Sequence, residues 1–571
     1  MDPATSNLAL DASRSGATPI AAALSVDDVE AIRWDADCDV LVVGFGAAGA
    51  SAAIEASRAG AKVIVADRFE GGGASAKSGG VVYAGGGTRY QKQAAFEDTP
   101  EAMFEYLRYE VGDTVSEGTL RKFCAESVAM IAWLAELGIE FDATVPAKKT
   151  SYPPDGYYLY FSGNEAVPQF AGAYPPAPRG HRVKGKGLSG AVMFKALRAS
   201  AMAAGARVML QAAVRRLAID SHGAVVGAEL WQIPDGTRAR RSHRRLARIA
   251  DRLSYVDARL SDRIRRRTLA LEIAHARPRL VRARRGIILS SGGFIFNRAM
   301  LERHAPNYLH NFRLGTTGCD GSAIRLGESV GGASDRLERV SAWRFINPPL
   351  AWARGIVVDE GGRRFCNEEV YGALLGHRMC EEHGGRAWLI LDARLRREAM
   401  REALLGGLWM FQSMPAIVLS LRAKRANSIA ELASRIGADA GAMRQTLEAY
   451  NGAARDAHLD DAFGKSASMR QALEAPPYYA LDISVRSATF PCPAITLGGL
   501  RVDEETGAVL RGGGRAIAGL YAAGRAAVGL ASNHYVSGLA LADCIFSGRR
   551  AGRAAVAGAS RDHSTPLHAT A

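Results

Sequence analysis

Residues Asp39 to Asp67 constrain the fold more than any other stretch, because they read in register as strand, glycine turn, helix and second strand. Val40 to Val43 form the short apolar run that a buried parallel strand needs. Gly44, Gly46 and Gly49 follow in the GxGxxG spacing. In such a unit the first glycine permits the tight turn, the second lets backbone approach a pyrophosphate, and the third lets the helix pack close to the strand, while the helix N-terminus favours the anion. The second strand, Lys62 to Ala66, ends at Asp67, an acid placed to accept hydrogen bonds from a ribose diol. A dinucleotide site is therefore expected here.

At 571 residues the chain exceeds the size at which one core keeps growing, so two or more domains are expected. Hydrophobic content of 48% with 62 glycines suits a soluble α/β enzyme and argues against disorder. Seven cysteines, odd in number and never spaced as CxxC or CxxCH, exclude an attached c-type haem and argue against a zinc site or disulfide framework; no metal is expected. The first 37 residues lack a basic segment followed by an apolar one, which points to a cytoplasmic protein. Residues 403–421 carry no charge, yet Gly406, Gly407, Gln412, Ser413 and Pro415 interrupt them, so a buried or pocket-lining segment is preferred to a membrane span.

The formal charge of +14 is local. Between Arg238 and Arg285 stand 17 arginines against the four acids Asp251, Asp257, Asp262 and Glu272, which leaves about +1 for the rest of the chain. Leu246, Ile249, Leu253, Val256 and Leu260 recur at three- and four-residue intervals and predict one apolar stripe on a basic helix. Three readings stay open: a helical hairpin packed on its own body, contact with an anionic membrane surface, or contact with a partner or second subunit. No aromatic interleaving or binding module accompanies the charges, so nucleic acid is not expected.

Residues 1–37 read as a polar, mobile arm. From Glu70 to Thr88 glycines and small hydroxyl residues stand too densely for a helix, so this stretch is expected either to offer backbone N–H groups to an anion or flat ring, or to serve as a linker. Helical spacing covers Thr99–Tyr109, Val115–Leu137 and Leu188–Ala204. Tyr152 to Tyr174, rich in Tyr, Phe, Pro and Gly, frames a pocket or forms an ordered surface loop. Strands are expected at Arg207–Leu210, from Val214, at Val225–Trp231 and at Leu280–Leu289, with the arginine segment at a sheet hairpin's tip. Gly286–Phe294, Thr317–Gly321 and Gly519–Gly524 look like later returns to the cofactor. Residues 345–481 are read as a second domain that includes a hairpin over Gly355–Tyr371. Asn533 to Asp543 leads into a last helix, whose N-terminus suits negative charge.

On these motifs, over roughly residues 38–555, the chain resembles the flavoproteins related to succinate dehydrogenase and fumarate reductase. The nearest branch is the 3-ketosteroid dehydrogenases of Δ4-(5α) type, carried by Ser78–Thr88 and Tyr535–Gly538. The resemblance implies an α/β fold: a discontinuous Rossmann-like FAD-binding domain (38–344 and 482–560, with a helical Arg-rich insertion at 237–280) and an inserted capping domain (345–481), flanked by the 1–37 arm and a 561–571 tail. For FAD it implies Gly44, Gly46, Ala47, Ala48, Gly49, Asp67, Arg68, Ser75, Ser78, Gly79, Gly80, Val214, Gly292, Asp320, Gly524, Gly538 and Leu539. Where flavinylated members carry the linking histidine this chain has Gly73, which implies noncovalent FAD. Thr496–Gly499 lacks the histidine of fumarate reductases.

The implied reaction removes a proton from C4 of a bulky apolar cyclic ketone, a 3-ketosteroid, and passes the 5α hydride to flavin N5, giving a 4-en-3-one; electrons leave to an external acceptor. Tyr535 is the expected donor to the carbonyl oxygen, assisted by a backbone N–H near Leu539. Ser537 and Tyr371 are assigned to proton removal, with Ser537 in contact and Tyr371 relaying. Against these roles stand plainer ones, Tyr371 anchoring the hairpin and Ser537 capping a helix. A Δ1-dehydrogenase is the near alternative. A membrane-recruited electron-transfer or ligand-carrying flavoprotein is the alternative of another class.

Overall fold

A computed structural model describes residues 16–172 and 174–558. The chain enters through β1 (Leu24–Val26) and β2 (Ala36–Val43), turns into α1 (Ala47–Arg58) and returns as β3 (Val63–Asp67). Next come α2 (Gly73–Lys77), β4 (Val81–Tyr83), α3 (Pro100–Val111), α4 (Glu117–Glu136) and α5 (Gly190–Ala203). β5 (Arg207–Leu210), β6 (Ala212–Asp220) and β7 (Val225–Gln232) lead into the arginine hairpin, α6 (Arg238–Leu253) and α7 (Ala258–His275), and β8 (Arg277–Leu289) brings the chain back.

Seven of these strands run in the order β1-β6-β7-β8-β2-β3-β5 through a nine-stranded sheet, whose other two strands come from the C-terminal part of the chain. β2 runs parallel to both β8 and β3, with Leu41 opposite Ile287 on one side and Ile64 on the other. Its residues are buried on both faces: Leu41 and Val43 join one core, Val40 and Val42 the other. That is why the strand reads as a continuous apolar run rather than an alternating one.

Residues 356–482 contribute a separate antiparallel sheet. Its strands are β9 (Ile356–Val358), then, after α8 (Gly372–Glu382), β10 (Trp388–Leu391), and, after α9 (Ala393–Leu405) and α10 (Met410–Arg422), β11 (Lys424–Ala426) and β12 (Tyr478–Asp482). They pair in the order β9-β10-β12-β11. The chain then returns to the large sheet as β13 (Ala516–Ala522), parallel to β8, and ends its described part in α11 (Leu539–Ala557), which packs along α1.

Three expectations are corrected. Residues 16–37 are no loose arm: β1 pairs with β6, and buried Thr18 donates its N–H and hydroxyl to Asp320 at 2.7 and 2.6 Å. The arm's first fifteen residues and the 561–571 tail lie outside the described residues. The glycine-rich stretch does hold a helix, α2, because Ala74 to Lys77 follow a run of positive-φ glycines that makes the turn into it, and β4 pairs with Gly180–Arg182. The apolar stripe of the arginine segment is broken. Helix α6 stops at Leu253 and Asp257 caps α7, accepting from the Arg259 and Leu260 N–H groups. Val256 is consequently 86% exposed, and the inward face of α6 is His243, Ala247 and Ala250. Residues 403–421, expected to be buried or pocket-lining, span the end of α9 and most of α10; Met410, Phe411, Gln412, Met414 and Pro415 line the cavity, and several apolar side chains are also exposed.

Candidate active site

One cavity of about 940 Å³ runs from the first glycine turn to Tyr371 and the start of α10. At its nucleotide end the wall is Gly44–Ala48, Asp67, Arg68 and Ala212–Val214. Gly44 has φ +101°, and a Cβ there would lie 2.7 Å from the Ser291 backbone. A Cβ on Gly49 would lie 2.0 Å from the Gly44 carbonyl oxygen, so only glycine lets α1 sit this close to the turn. The Asp67 carboxylate borders the cavity and also holds the turn, accepting from the Phe45 N–H at 2.9 Å and the Phe69 N–H at 2.7 Å.

The arginine hairpin forms part of this wall. Arg244, Ala247, Arg248, Asp251 and Tyr255 line the cavity, so α6 lies over its nucleotide end. A buried ionic cluster fixes the hairpin there. Glu272 of α7 accepts from Arg68 Nε (2.8 Å), Arg215 Nη2 (2.9 Å) and His243 Nε2 (2.9 Å), and Arg68 continues to Asp320 at 2.9 Å. Although burial opposes ionisation, the Arg68, His243 and Arg215 side chains bring the Glu272 carboxyl down to about 2.

The opposite end is aromatic and apolar. Tyr535, Trp343, Phe345 and Tyr371 form an unbroken row, with successive ring centroids 4.7, 5.9 and 5.2 Å apart. Tyr371 stands just before α8, and its N–H donates to Asn164 Oδ1 at 2.6 Å. The run that precedes it is anchored by buried Glu368, which pairs with Arg364 (2.7 Å) and Lys465 (3.1 Å) and accepts the Val357 N–H. Ser537 Oγ lies 3.1 Å from the Tyr160 hydroxyl. Burial pushes the Tyr535 phenol up to about 12, against the pull of Arg525 and the Gly538 N–H. Burial likewise raises Tyr371 well above the ordinary phenol range, the neighbouring Tyr535 and Tyr160 adding to it and Ser537 opposing. Both phenols are therefore protonated at neutral pH.

Of the expected residues, Tyr371, Tyr535, Ser537, Ser75, Ser78, Gly79, Val214, Gly292 and Gly538 line this cavity with the first turn. Gly49, Gly80, Asp320, Gly524 and Leu539 stand outside its lining. Asp320 is fully buried and faces Thr18 and Arg68, and the Leu539 N–H is taken by the Val536 carbonyl at 3.0 Å. Arg68 borders the cavity, but its guanidinium turns into the Glu272 cluster. Sequence reasoning missed Tyr160, Trp343, Phe345 and Arg525. Tyr160 lay within the flagged aromatic stretch, but its partner is 377 residues away.

The wall fits FAD. The N-terminal turns of α1 and α11 both reach the cavity, the arrangement that receives a pyrophosphate and a ring accumulating negative charge. Arg525 lines it with a buried Nη1 that has no hydrogen-bond partner among the described residues.

Comparison with known proteins agrees with the geometry. A family described as "FAD binding domain" matches residues 39–539. The 3-oxo-5-alpha-steroid 4-dehydrogenase of Comamonas testosteroni is 44% identical over 518 residues, covering 89% of this chain and 96% of that protein. The 3-oxosteroid 1-dehydrogenase of Mycolicibacterium smegmatis is 27% identical, covering 85% and 91%. The crystal structure of 3-ketosteroid-delta4-(5alpha)-dehydrogenase from Rhodococcus jostii RHA1, in complex with 4-androstene-3,17-dione, aligns with a TM-score of 0.78 at 30% identity and covers 94% of this chain and all of that one. The chain belongs to this family of FAD-binding flavoprotein oxidoreductases, within the succinate dehydrogenase and fumarate reductase superfamily.

Proposed function

We propose that the chain desaturates a 5α-3-ketosteroid to the 4-en-3-one, with Tyr535, Ser537 and Tyr371 as its catalytic side chains. The observation that carries this reading is the meeting of these three residues on one apolar wall of the cavity whose other end is the glycine turn. The 44% identity to a 3-oxo-5-alpha-steroid 4-dehydrogenase supports the Δ4 position over the Δ1 alternative, whose representative stands at 27%.

Loss of hydrogen across C4 and C5 removes a proton from C4 and a hydride from C5. Tyr535, protonated and desolvated, donates to the 3-carbonyl oxygen and stabilises the charge that develops as C4 loses its proton. Ser537 accepts that proton at Oγ as its own hydroxyl proton passes to Tyr160 or Tyr371 and from there to solvent; both phenols are protonated at neutral pH, so they relay the proton and do not store it. The row formed by Trp343 and Phe345 orients a flat apolar ring system and keeps water from the carbonyl. FAD would be held noncovalently by the glycine turn, Asp67, Ser75, Ser78 and Gly538, and when bound would supply the acceptor for the 5α hydride, from which an external oxidant would take the two electrons. For the 238–285 segment, the packing favours cover of the nucleotide end over a contact with a membrane or second subunit.

The test is anaerobic addition of 5α-3-ketosteroids to the purified flavoprotein, with mass and ultraviolet analysis of the product. Flavin bleaching with a C4=C5 product is expected. Tyr535→Phe should keep its flavin and lose a hundredfold or more in kcat, the loss of about 3 kcal/mol that follows removal of one such donor. Near-native turnover of Tyr535→Phe, or a C1=C2 product, refutes the assignment.

A further inference from the structure

Helix α10 is amphipathic in reverse. Its buried side is Ala416, Leu419 and Ser420, whereas Met410, Phe411, Met414 and Leu421 face outward at 77, 54, 51 and 68% exposure. Leu404 and Leu405, at the end of α9, extend the patch at 63 and 79%. Six large apolar side chains exposed within eighteen residues exceed the scattered apolar residues of an ordinary surface. The patch is also continuous with the cavity, because Met410, Phe411 and Met414 line its aromatic end. Trp409 pins this rim to the body by donating to the Pro153 carbonyl at 3.0 Å.

Cations flank the patch. Arg394, Arg397 and Arg401 project from α9 on the stripe that ends in Leu404 and Leu405, and Arg422, Lys424 and Arg425 follow Leu421. All six are exposed, and among the described residues none has a carboxylate within salt-bridge reach. A self-complementary contact between two copies sets each patch on its twin and brings the like-charged flanks together. An apolar helix face bordered by arginines and lysines suits instead the boundary of an anionic bilayer, with acyl chains against the apolar side chains and headgroup phosphates against the cations. Among the described residues no helix is long and apolar enough to cross a membrane, so the element lies on the surface.

We propose that α9 and α10 dock on an anionic lipid bilayer and that the apolar substrate passes from the lipid into the cavity between Met410, Phe411 and Met414. The docking rests on this surface alone; the identity of the passenger rests on the proposed steroid reaction.

The experiment sediments the flavin-loaded protein with phosphatidylcholine vesicles, with and without phosphatidylglycerol. Wild type should pellet with the anionic vesicles. Leu404→Ser/Leu405→Ser/Leu421→Ser, whose positions lie off the cavity wall, should lower the partition roughly tenfold or more. Turnover of detergent-dispersed substrate by this variant should stay unchanged. Arg394→Gln/Arg397→Gln/Arg401→Gln should lose only the preference for phosphatidylglycerol. Leu405→Glu, at the most exposed position, serves if the triple variant does not fold. Equal pelleting of wild type and these variants, or no pelleting of wild type, overturns the proposal. So does a wild-type dimer in size exclusion that the serine variant converts to monomer. Pelleting needs no turnover, so failure of the steroid reaction leaves this readout intact.

Discussion

Glu272→Gln tests whether the arginine hairpin is held by buried charge. Glu272 is 3% exposed and is the shared acceptor of Arg68, Arg215 and His243. The consequences for the two arginines differ. Arg68 keeps Asp320 at 2.9 Å, whereas burial already pulls the Arg215 guanidinium down to about 10 with Glu272 beside it, and loss of that carboxylate removes its ion-pair partner. Breaking a buried pair from one side costs roughly 3–5 kcal/mol, and the surviving Arg68–Asp320 contact argues for about 3 kcal/mol here. Urea unfolding followed by tryptophan fluorescence measures this loss, and equilibrium titration of the apoprotein with FAD should show weaker binding, because α6 covers the nucleotide end. Arg215→Met in the Glu272→Gln background removes the stranded charge and should recover more than half of the loss. A single variant within about 1 kcal/mol of wild type, or a double variant no better than the single, refutes the reasoning.

Tyr160→Phe deletes the hydroxyl 3.1 Å from Ser537 and should lower kcat roughly fivefold to tenfold, the value of about one hydrogen bond, with KM little changed; steady-state rates on a 5α-3-ketosteroid decide it. Gly49→Ala places a methyl 2.0 Å from the Gly44 carbonyl oxygen and should abolish FAD retention on desalting, as read by flavin absorbance. Acid should destabilise the fold through two buried imidazoles, the loss partly offset below about pH 6 where the raised Asp543 carboxyl takes up its proton in the native state first. Burial lowers His181 and His534 from 6.5 to about 4, so between those values the unfolded chain takes up protons that the native state refuses. Stability is fully present above about pH 6.5 and falls as the pH drops toward 4, by roughly 3 kcal/mol per imidazole. The lowered Glu272 adds a further loss from about 4.5 toward about 2. Unfolding midpoints that stay level from pH 7 to 4.5 contradict the first of these statements.

The elements that the sequence made legible are those whose signal is local. Arg207–Leu210 stands as expected, and the helices read over Thr99–Tyr109 and Val115–Leu137 are observed over Pro100–Val111 and Glu117–Glu136, each started by a Thr or Ser side chain that accepts from the first turn. Illegible were the arrangements made by distant partners. β1 is three residues long and acquires meaning only by lying beside β6. Helix α6 was misread for a physical reason: a helix laid close over a cavity buries alanines, and its larger apolar residues then fall to the sides or to the exposed turn at Val256. The site shows the same division. Tyr371, Tyr535 and Ser537, singled out by motif, line one cavity, whereas Trp343 and Phe345, which bridge the two phenols, belong to no local pattern and emerge only as a row of rings.

The charge distribution links these observations. Nearly all of the chain's excess charge sits between Arg238 and Arg285, in the hairpin and the strand that leaves it, and such a segment invites an outside partner to neutralise it. The structure directs part of it inward, because Arg265 of α7 is buried, pairs with Asp262 and donates to the Phe296 carbonyl. Arg244 and Arg248 converge on Glu70 at the nucleotide end of the cavity, at 3.0 and 3.7 Å. The remainder of the chain, near neutral overall, carries around Leu404 to Leu421 at the opposite, apolar end a group of cations that have no salt bridge among the described residues. A basic hairpin over the phosphate-binding turn answers the charge of a nucleotide. A smaller basic rim around exposed leucines and methionines answers a surface at once charged and greasy, and an apolar substrate with almost no solubility in water has every reason to arrive from there.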